Sequence, residues 1–179
     1  MKIKVYLSGE IHSDWRERII EGAKEANLAI EFYSPVTDHA ASDDCGAKIL
    51  GDEDKPSWKD HKGAGINAIR TRTLIDAADI VVVRFGDKYR QWNAAFDAGY
   101  AAALNKSLII LHDPDLTHAL KEVDRAAMAV AEKPEQVVEI LKYVMSQYMI
   151  LLAIGVKYDH PQPTNGSLHH ASIATHSGG

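Results

Sequence analysis

The sequence predicts an α/β fold, a three-layer doubly wound sandwich of the flavodoxin-like or Rossmann-like type with a five-stranded parallel sheet. The first observation is that apolar and amphipathic segments alternate five times, the pattern of parallel strands joined by helices. The second is the segment 71–111, which reads as helix end, buried strand, polar loop, small-residue helix and buried strand. Such a unit places its polar loop at the carboxyl end of a strand, where open parallel sheets bind ligands.

Each element follows from its local pattern. Short apolar runs predict strands over residues 2–7, 28–33, 79–84, 107–112 and 126–131. Helical periodicity predicts helices over residues 65–77, 93–104, 135–148, 14–26 and, as a short one, 116–124. Ser13 is a suitable N-cap for the first helix, with Glu17 in support, and Pro134 is a suitable start for the last. Residues 34–62 are polar without a clear period, and we expect a functional or mobile loop there.

Length and composition narrow the class of protein. The 179 residues suffice for one domain, which we expect at 1–150, before a C-terminal extension at 151–179 that is largely a flexible tail. The formal net charge of -5 favours neither nucleic acid nor membrane as a partner. Cys45 is the single cysteine, which fits a reducing compartment. The N-terminus lacks a signal peptide and the apolar stretch 148–156 is too short to cross a bilayer, so we expect a cytoplasmic protein.

A first candidate site lies where the first strand turns into the first helix. Ser8, Gly9 and Glu10 form this turn, and Gly9 would let the backbone approach a ligand. The helix N-terminus and Arg16 would add positive charge for a phosphate or carboxylate. An ordinary strand-to-helix turn explains the same residues equally well.

A second candidate is Asp97, which stands alone among small and apolar neighbours. If Asn93 caps the helix, Asp97 lies in its first full turn, where the helix dipole favours the carboxylate. A positioned carboxylate can attack an electrophilic carbon or stabilise a developing cation. The alternative is an acid that stabilises the helix dipole or pairs with a nearby arginine.

The polar loop before Asp97 supplies further candidates. Arg84 ends a buried strand, where a charge needs a partner, and that partner could be Asp97, Asp87 or a ligand phosphate. Aromatic side chains near the strand ends could stack on a base, although half of them fit a core or an interface better. The loop and these aromatics comprise Tyr6, Arg84, Phe85, Gly86, Asp87, Lys88, Tyr89, Arg90, Gln91, Trp92 and Asn93.

Other chemistries find little support. His12, His39, His61 and His112 could gather with Cys45 around zinc, but no pair has metal-ligand spacing, so we predict no metal and no cofactor. The chain contains no GxSxG elbow, no P-loop and no GxGxxG fingerprint.

Three runs of the sequence carry a resemblance to a known family. YLSGEIHSDWR, ADIVVVRFGDKYRQWNAAFDAGYAAAL and HALKEVD resemble the bacterial YtoQ family over about residues 1–146. More distantly, the layout is similar to the nucleoside 2-deoxyribosyltransferase superfamily. In that superfamily an aromatic-x-x-Gly turn follows the first strand, "AD" precedes a buried strand, and "ELG" opens a helix; the counterparts here are 6–9, 78–79 and 97–99.

The resemblance implies roles for particular residues. The nucleophilic glutamate of "ELG" falls on Asp97, one methylene shorter, and Tyr6 matches an aromatic that orients the nucleophile. A second acid, which protonates or positions the base, falls on Thr71, and Asp76 on the same helix would face elsewhere. Superfamily members borrow pocket residues across subunits, which, with apolar surface on the small-residue helix and on residues 148–156, predicts a homodimer or higher homo-oligomer.

Three functions follow as hypotheses. The leading one is an N-glycosidase or deoxyribosyltransferase-like enzyme acting on a nucleoside or nucleotide, with Asp97 at C1′ and Tyr6 as its catalytic residues. The alternative is a non-catalytic domain that binds a nucleotide or another phosphorylated metabolite, which the loss of an acid at Thr71 favours. A structural or partner-binding protein is the third. The predicted ligand-binding residues are Ser8, Gly9, Glu10, Arg16, Arg84, Phe85, Gly86, Gln91, Trp92 and Asn93.

Overall fold

Five parallel strands form one sheet. The computed structural model describes residues 2–87 and 91–153, with His39 and residues 147–153 as backbone only. The sheet has the order β2-β1-β3-β4-β5, which confirms the predicted doubly wound α/β class. Its strands are β1 (Ile3–Gly9), β2 (Ile30–Tyr33), β3 (Ile80–Phe85), β4 (Ser107–His112) and β5 (Ala129–Ala131).

Helices cover both faces of the sheet. Along the described residues they are α1 (Trp15–Glu25), α2 (His39–Leu50), α3 (Pro56–Ala77), α4 (Trp92–Ala103), α5 (Thr117–Ala126), after a 3-10 turn at Pro114–Leu116, and α6 (Pro134–Ala153). Side chains of α1 and α6 pack with one face of the sheet. Side chains of α3, α4 and α5 pack with the other.

Side chains along β1 point alternately to the two faces of the sheet, and this decides which helices each of them contacts. Val5 and Leu7 belong to the core cluster of α1 and α6, whereas Tyr6 belongs to that of α3 and α4. Because successive strand residues point to opposite faces, Ser8 shares the side of Tyr6. The start of α4 therefore lies over Ser8.

Two helices replace much of the loop expected over 34–62. Helix α2 and the first turns of α3 fall there, and the Asp38 side chain caps α2 by accepting a hydrogen bond from the backbone of Ala41. The two helices pack closely where Gly46 meets Gly63, since a Cβ atom on Gly46 would overlap the Gly63 backbone. This contact through glycine carries no apolar stripe, so the sequence pattern did not reveal α2 or the first turns of α3.

Several predicted boundaries and caps are wrong. Ser13 does not cap α1; its hydroxyl donates to Glu10, and α1 begins at Trp15. Helix α4 begins one residue earlier than expected, so Asn93 lies inside it and Asp97 lies in its second turn, where the helix dipole acts more weakly. Strand β5 covers three residues rather than 126–131.

The C-terminal predictions lie mostly beyond the described residues. Helix α6 continues to Ala153, past both its expected end at 148 and the expected domain boundary at 150. The tail from about residue 158 lies outside the described part of the chain. Among the helices of the described residues, none is long and apolar enough to cross a membrane.

Candidate functional site at the carboxyl edge of the sheet

A cavity of about 860 Å³ opens at the carboxyl end of β1. The chain leaves β1 toward β2 on one side, while β3 lies on the other, so this is the switch point at which doubly wound sheets bind ligands. The walls come from the β1–α1 turn, the β2–α2 connection, α2, α3 and the start of α4. The lining residues are Ser8, Gly9, Glu10, Ile11, His12, Pro35, Val36, Ser42, Asp43, Asp60, Gly63, Ala64, Asn67, Ala68, Arg70, Thr71, Arg72, Gln91, Trp92, Asn93, Ala94, Phe96 and Asp97.

Gly9 shapes the floor of this cavity. Its φ of 100° lies in the left-handed region, and a Cβ atom there would overlap the carbonyl of Arg84. The same carbonyl accepts a hydrogen bond of 3.0 Å from the backbone N–H of Glu10. The turn after β1 is thus fixed against the end of β3, as a glycine permits and a larger residue would not.

Glu10 holds the turn from within. Its carboxylate accepts hydrogen bonds from the backbone N–H of His12 and from the hydroxyl of Ser13. Gly86 leaves room for this side chain, because a Cβ atom at that position would overlap Glu10. The predicted Glu10 and Gly86 therefore meet, and Gly86 acts through Glu10 without lining the cavity.

Asp97 lies in the cavity wall beside the end of β1. The buried hydroxyl of Ser8 donates a hydrogen bond to its carboxylate. Burial raises the pKa of Asp97 above its ordinary value, and the Ser8 hydrogen bond opposes that rise. The arrangement is a half-buried carboxylate that a strand residue holds by a hydrogen bond.

Tyr6 lies behind this pair and is fully buried. Among the described residues its hydroxyl has no partner with full hydrogen-bond geometry, although Thr71 is close enough to interact with it. Burial raises the pKa of Tyr6; the Thr71 side chain lowers it, the charge of Asp97 raises it, and Arg70 and Arg16 lower it. Tyr6, Thr71 and Asp97 thus converge at one point of the wall.

Arg16 is not part of the cavity, contrary to expectation. Its side chain is 4% exposed and donates hydrogen bonds of 2.5 to 3.1 Å to the backbone carbonyls of Leu7, Gly9 and Glu10. Burial lowers the pKa of Arg16 to about 10. The guanidinium binds these three carbonyls at the end of β1 and does not line the cavity.

Arg84 also points away from the cavity. It pairs with Asp113 at 2.8 Å, which was not among the partners considered from the sequence, namely Asp97, Asp87 or a ligand phosphate. Phe85 is buried in the core between the sheet, α3 and α4. Arg84 and Phe85, at the end of β3, therefore contribute to the fold and do not line the cavity.

The opposite wall was missed in the sequence analysis. The Asn67 amide donates to the backbone carbonyl and the hydroxyl of Ser42, at 3.1 and 3.0 Å, which ties α3 to α2. Arg70 donates to the carbonyl of Ser34 at 2.8 Å. A signal was present, because small and polar residues recur on α3 at helical spacing: Asp60, Gly63, Ala64, Asn67 and Thr71.

Two aromatic side chains of α4 lie at the mouth of the cavity. Trp92 is 72% exposed and Phe96 is 56% exposed, one turn further along the same face. The guanidinium of Arg72 lies 5.8 Å from the ring centres of both Phe96 and Tyr100. The small residues of this helix, in contrast, are largely used in the core: Ala94, Ala98 and Ala101 are buried against the sheet.

The predicted residues divide into two sets. Those that line the cavity are Ser8, Gly9, Glu10, Gln91, Trp92, Asn93 and Asp97. Those that lie outside its walls are Tyr6, Arg16, Arg84, Phe85 and Gly86. Among residues 2–87 and 91–153, no group of three His, Cys, Asp or Glu side chains could hold a metal ion.

The strand order and the cavity at the switch point define the class, a doubly wound α/β protein with a candidate small-molecule site beside β1. A family model described as nucleoside 2-deoxyribosyltransferase YtoQ matches residues 6–145. The uncharacterized protein YtoQ of Bacillus subtilis (strain 168) is 44% identical over 144 residues, which covers 80% of this chain and 97% of that relative. The chain belongs to this YtoQ family.

Two solved structures match the chain at low sequence identity. A conserved protein from Enterococcus faecalis V583 superposes with a TM-score of 0.54 and 14% identity, covering 80% of this chain and 99% of that chain. A 2-deoxyribosyltransferase from the psychrotolerant bacterium Bacillus psychrosaccharolyticus gives a TM-score of 0.48 and 17% identity, covering 75% and 90%. The first likeness shows the common α/β architecture.

Proposed function

We propose that this chain is an enzyme that cleaves the N-glycosidic bond of a nucleoside or nucleotide, as a hydrolase or a 2-deoxyribosyltransferase-like enzyme. The observation that carries the proposal is the convergence of Ser8, Tyr6 and Asp97 at the edge of a cavity large enough for a nucleoside. Membership of a family described as nucleoside 2-deoxyribosyltransferase supports the same chemistry.

Asp97 is the group we assign to the reacting carbon. Its carboxylate attacks C1′ of the sugar, or stabilises the cation that develops there, as paired carboxylates do in glycoside hydrolysis. Ser8 holds one carboxylate oxygen by its hydrogen bond, which leaves the other to face the sugar. We assign Tyr6 a positioning role, because it is fully buried and interacts electrostatically with Asp97.

The surrounding walls hold the rest of the substrate. The turn at Gly9 lets the sugar approach the backbone, and Asn93 lies about one helical turn before Asp97 on the same wall. Asn67 keeps an amide oxygen that can accept a hydrogen bond, since its nitrogen is used by Ser42. These groups suit the hydroxyl groups of a sugar.

Release of free base tests this function directly. Purified protein is incubated with a panel of nucleosides and their 5′-monophosphates, with and without an acceptor base, and products are separated by chromatography. Asp97→Asn should abolish base release while nucleoside binding, followed by calorimetry, persists. Asp76→Asn is the matched control, because this exposed acid lies on α3 outside the cavity.

A non-catalytic binding domain is the second candidate. Thr71 favours it, because a hydroxyl stands where the resemblance places an acid that assists the departing base. Binding across the panel with no base released by the wild-type protein would establish the binder and refute the enzyme. Release of base that survives in Asp97→Asn would refute the role of this carboxylate.

A further inference from the structure

The carboxylate of Asp97 has no positively charged partner among the residues that the structure describes. Its hydrogen bond comes from the neutral hydroxyl of Ser8, and no described ion pair includes it. A carboxylate that is partly removed from water is stabilised by a nearby cation, because an unpaired charge becomes more costly as it is buried. A ligand that brings a positive charge to this point would supply the missing match.

The described hydroxyl groups beside Asp97 are also poor sources of a proton. They are the hydroxyls of Ser8, Tyr6 and Thr71, and Ser8 already donates to Asp97. Burial raises the pKa of Tyr6 above its usual value, so this hydroxyl is a weaker acid than a free tyrosine. A neutral base that leaves a sugar needs a proton on its nitrogen, and none of these hydroxyls is suited to give one near neutral pH.

The charges of the whole cavity point the same way. Among the described residues, its lining includes four acidic side chains, Glu10, Asp43, Asp60 and Asp97, against two guanidinium groups and the imidazole of His12. The two guanidinium groups are partly occupied elsewhere, since Arg70 donates to the Ser34 carbonyl and Arg72 lies over aromatic rings. A cleft lined mainly by one sign of charge concentrates ligands of the other sign.

The exposed ring of Trp92 adds a surface that cations and flat rings both favour. It lies at the mouth of the cavity with most of its area open. Indole rings attract quaternary nitrogen through the electrostatics of the ring face. The same ring can stack on a heterocycle.

We propose that the cavity selects N-glycosides whose glycosidic nitrogen already carries a positive charge, with pyridinium nucleosides as the chemical class. The proposal rests on the N-glycosidase function above and narrows it to a substrate whose base needs no proton to leave. The positive nitrogen next to C1′ lies beside Asp97 and provides a countercharge that the described residues 2–87 and 91–153 do not provide.

The reaction balances without an acid. An oxygen of Asp97 forms a bond to C1′, the C1′–N bond breaks, and its electron pair returns to the ring nitrogen, which leaves as a neutral pyridine. Water then attacks C1′, the bond to the Asp97 oxygen breaks, and one proton passes to solvent. Hydrolysis of such a cation therefore releases one proton per turnover, whereas hydrolysis of a neutral nucleoside releases none.

A matched pair of substrates tests the selection. Nicotinamide riboside carries the charged ring, and its dihydro form carries the neutral ring on the same sugar. The 2′-deoxyribosides of the same two rings form a second matched pair. We expect base release from the charged form to exceed release from the neutral form and from neutral nucleosides by at least about 100-fold, the lower end of what a general acid contributes. In weakly buffered solution, one mole of protons should appear for each mole of base released from the charged substrate.

Two variants make the role of position 71 visible. Thr71→Glu places an acid beside Tyr6 and Asp97, and we expect cleavage of neutral nucleosides to rise at least about tenfold and to decline at high pH as the new acid ionises. Thr73→Glu adds the same charge at an exposed site on α3 outside the cavity lining and should leave the selectivity unchanged. Circular dichroism checks that both variants fold. The comparison of charged and neutral substrates uses the wild-type protein and does not depend on either variant.

The outcomes separate this proposal from the broader one. Equal cleavage of charged and neutral substrates would overturn the selection and leave the N-glycosidase function intact. If no glycoside is cleaved, the enzyme proposal fails, and binding decides the selection: N-methylnicotinamide, a cation, should then bind more tightly than neutral nicotinamide. Equal binding of these two probes would overturn the selection as well.

Discussion

The hydroxyl of Ser8 donates a hydrogen bond to the carboxylate of Asp97, 89 residues further along the chain. The contact exists because Ser8, near the end of β1, lies on the same side of the sheet as Tyr6, the side covered by α3 and α4. It joins the two segments that looked most informative in the sequence, the turn after the first strand and the small-residue helix. The bond is therefore the first feature to test.

Replacing Ser8 with alanine should move the pH dependence of catalysis. The Ser8 hydrogen bond lowers the pKa of Asp97, so its loss leaves burial unopposed and raises that pKa further. Because the attacking group is the ionised carboxylate, the acidic limb of the pH–rate profile should shift to higher pH in Ser8→Ala. The exposed Ser57→Ala is the control; an unshifted limb in Ser8→Ala would contradict the assignment of Asp97 as the titrating group.

Asparagine at position 97 should stabilise the protein at neutral pH. Burial raises the pKa of Asp97 in the folded state, so the ionised side chain costs folding free energy above that pKa. The cost disappears as the pH falls below the unfolded-state pKa of about 3.9. The melting temperature of Asp97→Asn should exceed that of the wild type at pH 7, and the difference should narrow toward pH 4. The control variant Asp76→Asn should show no such trend. A difference in melting temperature that does not depend on pH would refute the explanation.

Alanine at Gly9 should be far more damaging than alanine at another glycine of positive φ. Gly51 has a φ of 87° but open space around it, so Gly51→Ala pays only for backbone strain, about 1–3 kcal/mol. Gly9→Ala is destabilised both by backbone strain and by overlap of the new Cβ atom with the Arg84 carbonyl. Urea unfolding of both variants measures the difference, and equal losses would show that the turn can relax.

Lysine at position 16 should weaken the fold and leave ligand binding alone. The guanidinium of Arg16 satisfies three carbonyls at the end of β1, and an ammonium group cannot reach all of them in the same geometry. We expect Arg16→Lys to lose about 1–3 kcal/mol of unfolding free energy. Arg18→Lys, in an exposed pair with Glu135, should lose less than about 1 kcal/mol. A selective loss of affinity for nucleoside monophosphates in Arg16→Lys, without a loss of stability, would return Arg16 to the site.

The sheet was predictable from sequence because its strands are buried on both faces and read as short apolar runs, as in 79–84 and 107–112. Helix α2 was not, since its packing against α3 relies on Gly46 and Gly63 and on polar ties such as that of Asn67 to Ser42. Periodicity detects buried apolar stripes, and the contact between α2 and the first turns of α3 has none.

The candidate site was predictable in part for a similar reason. Ser8 and Asp97 could be brought together by topology alone, because loops at the carboxyl ends of neighbouring strands meet. The role of Arg16 could not be read, since an arginine in a first helical turn looks the same whether it faces an anion or turns back to carbonyls of its own strand. The homo-oligomer and the flexible tail stay predictions; light scattering of the whole chain and of a chain ending at residue 157 would test both.

Trapping of the glycosyl intermediate tests the central claim most directly. A 2′-deoxy-2′-fluoro nucleoside with a good leaving group should react at C1′ and then hydrolyse slowly, because the fluorine destabilises the positive charge that develops at that carbon. We predict that intact mass spectrometry of the wild-type protein shows one added fluorosugar, that peptide mapping places it on Asp97, and that Asp97→Asn remains unlabelled. A label on any other residue, or base release from the wild type with a label that persists in Asp97→Asn, would contradict the account.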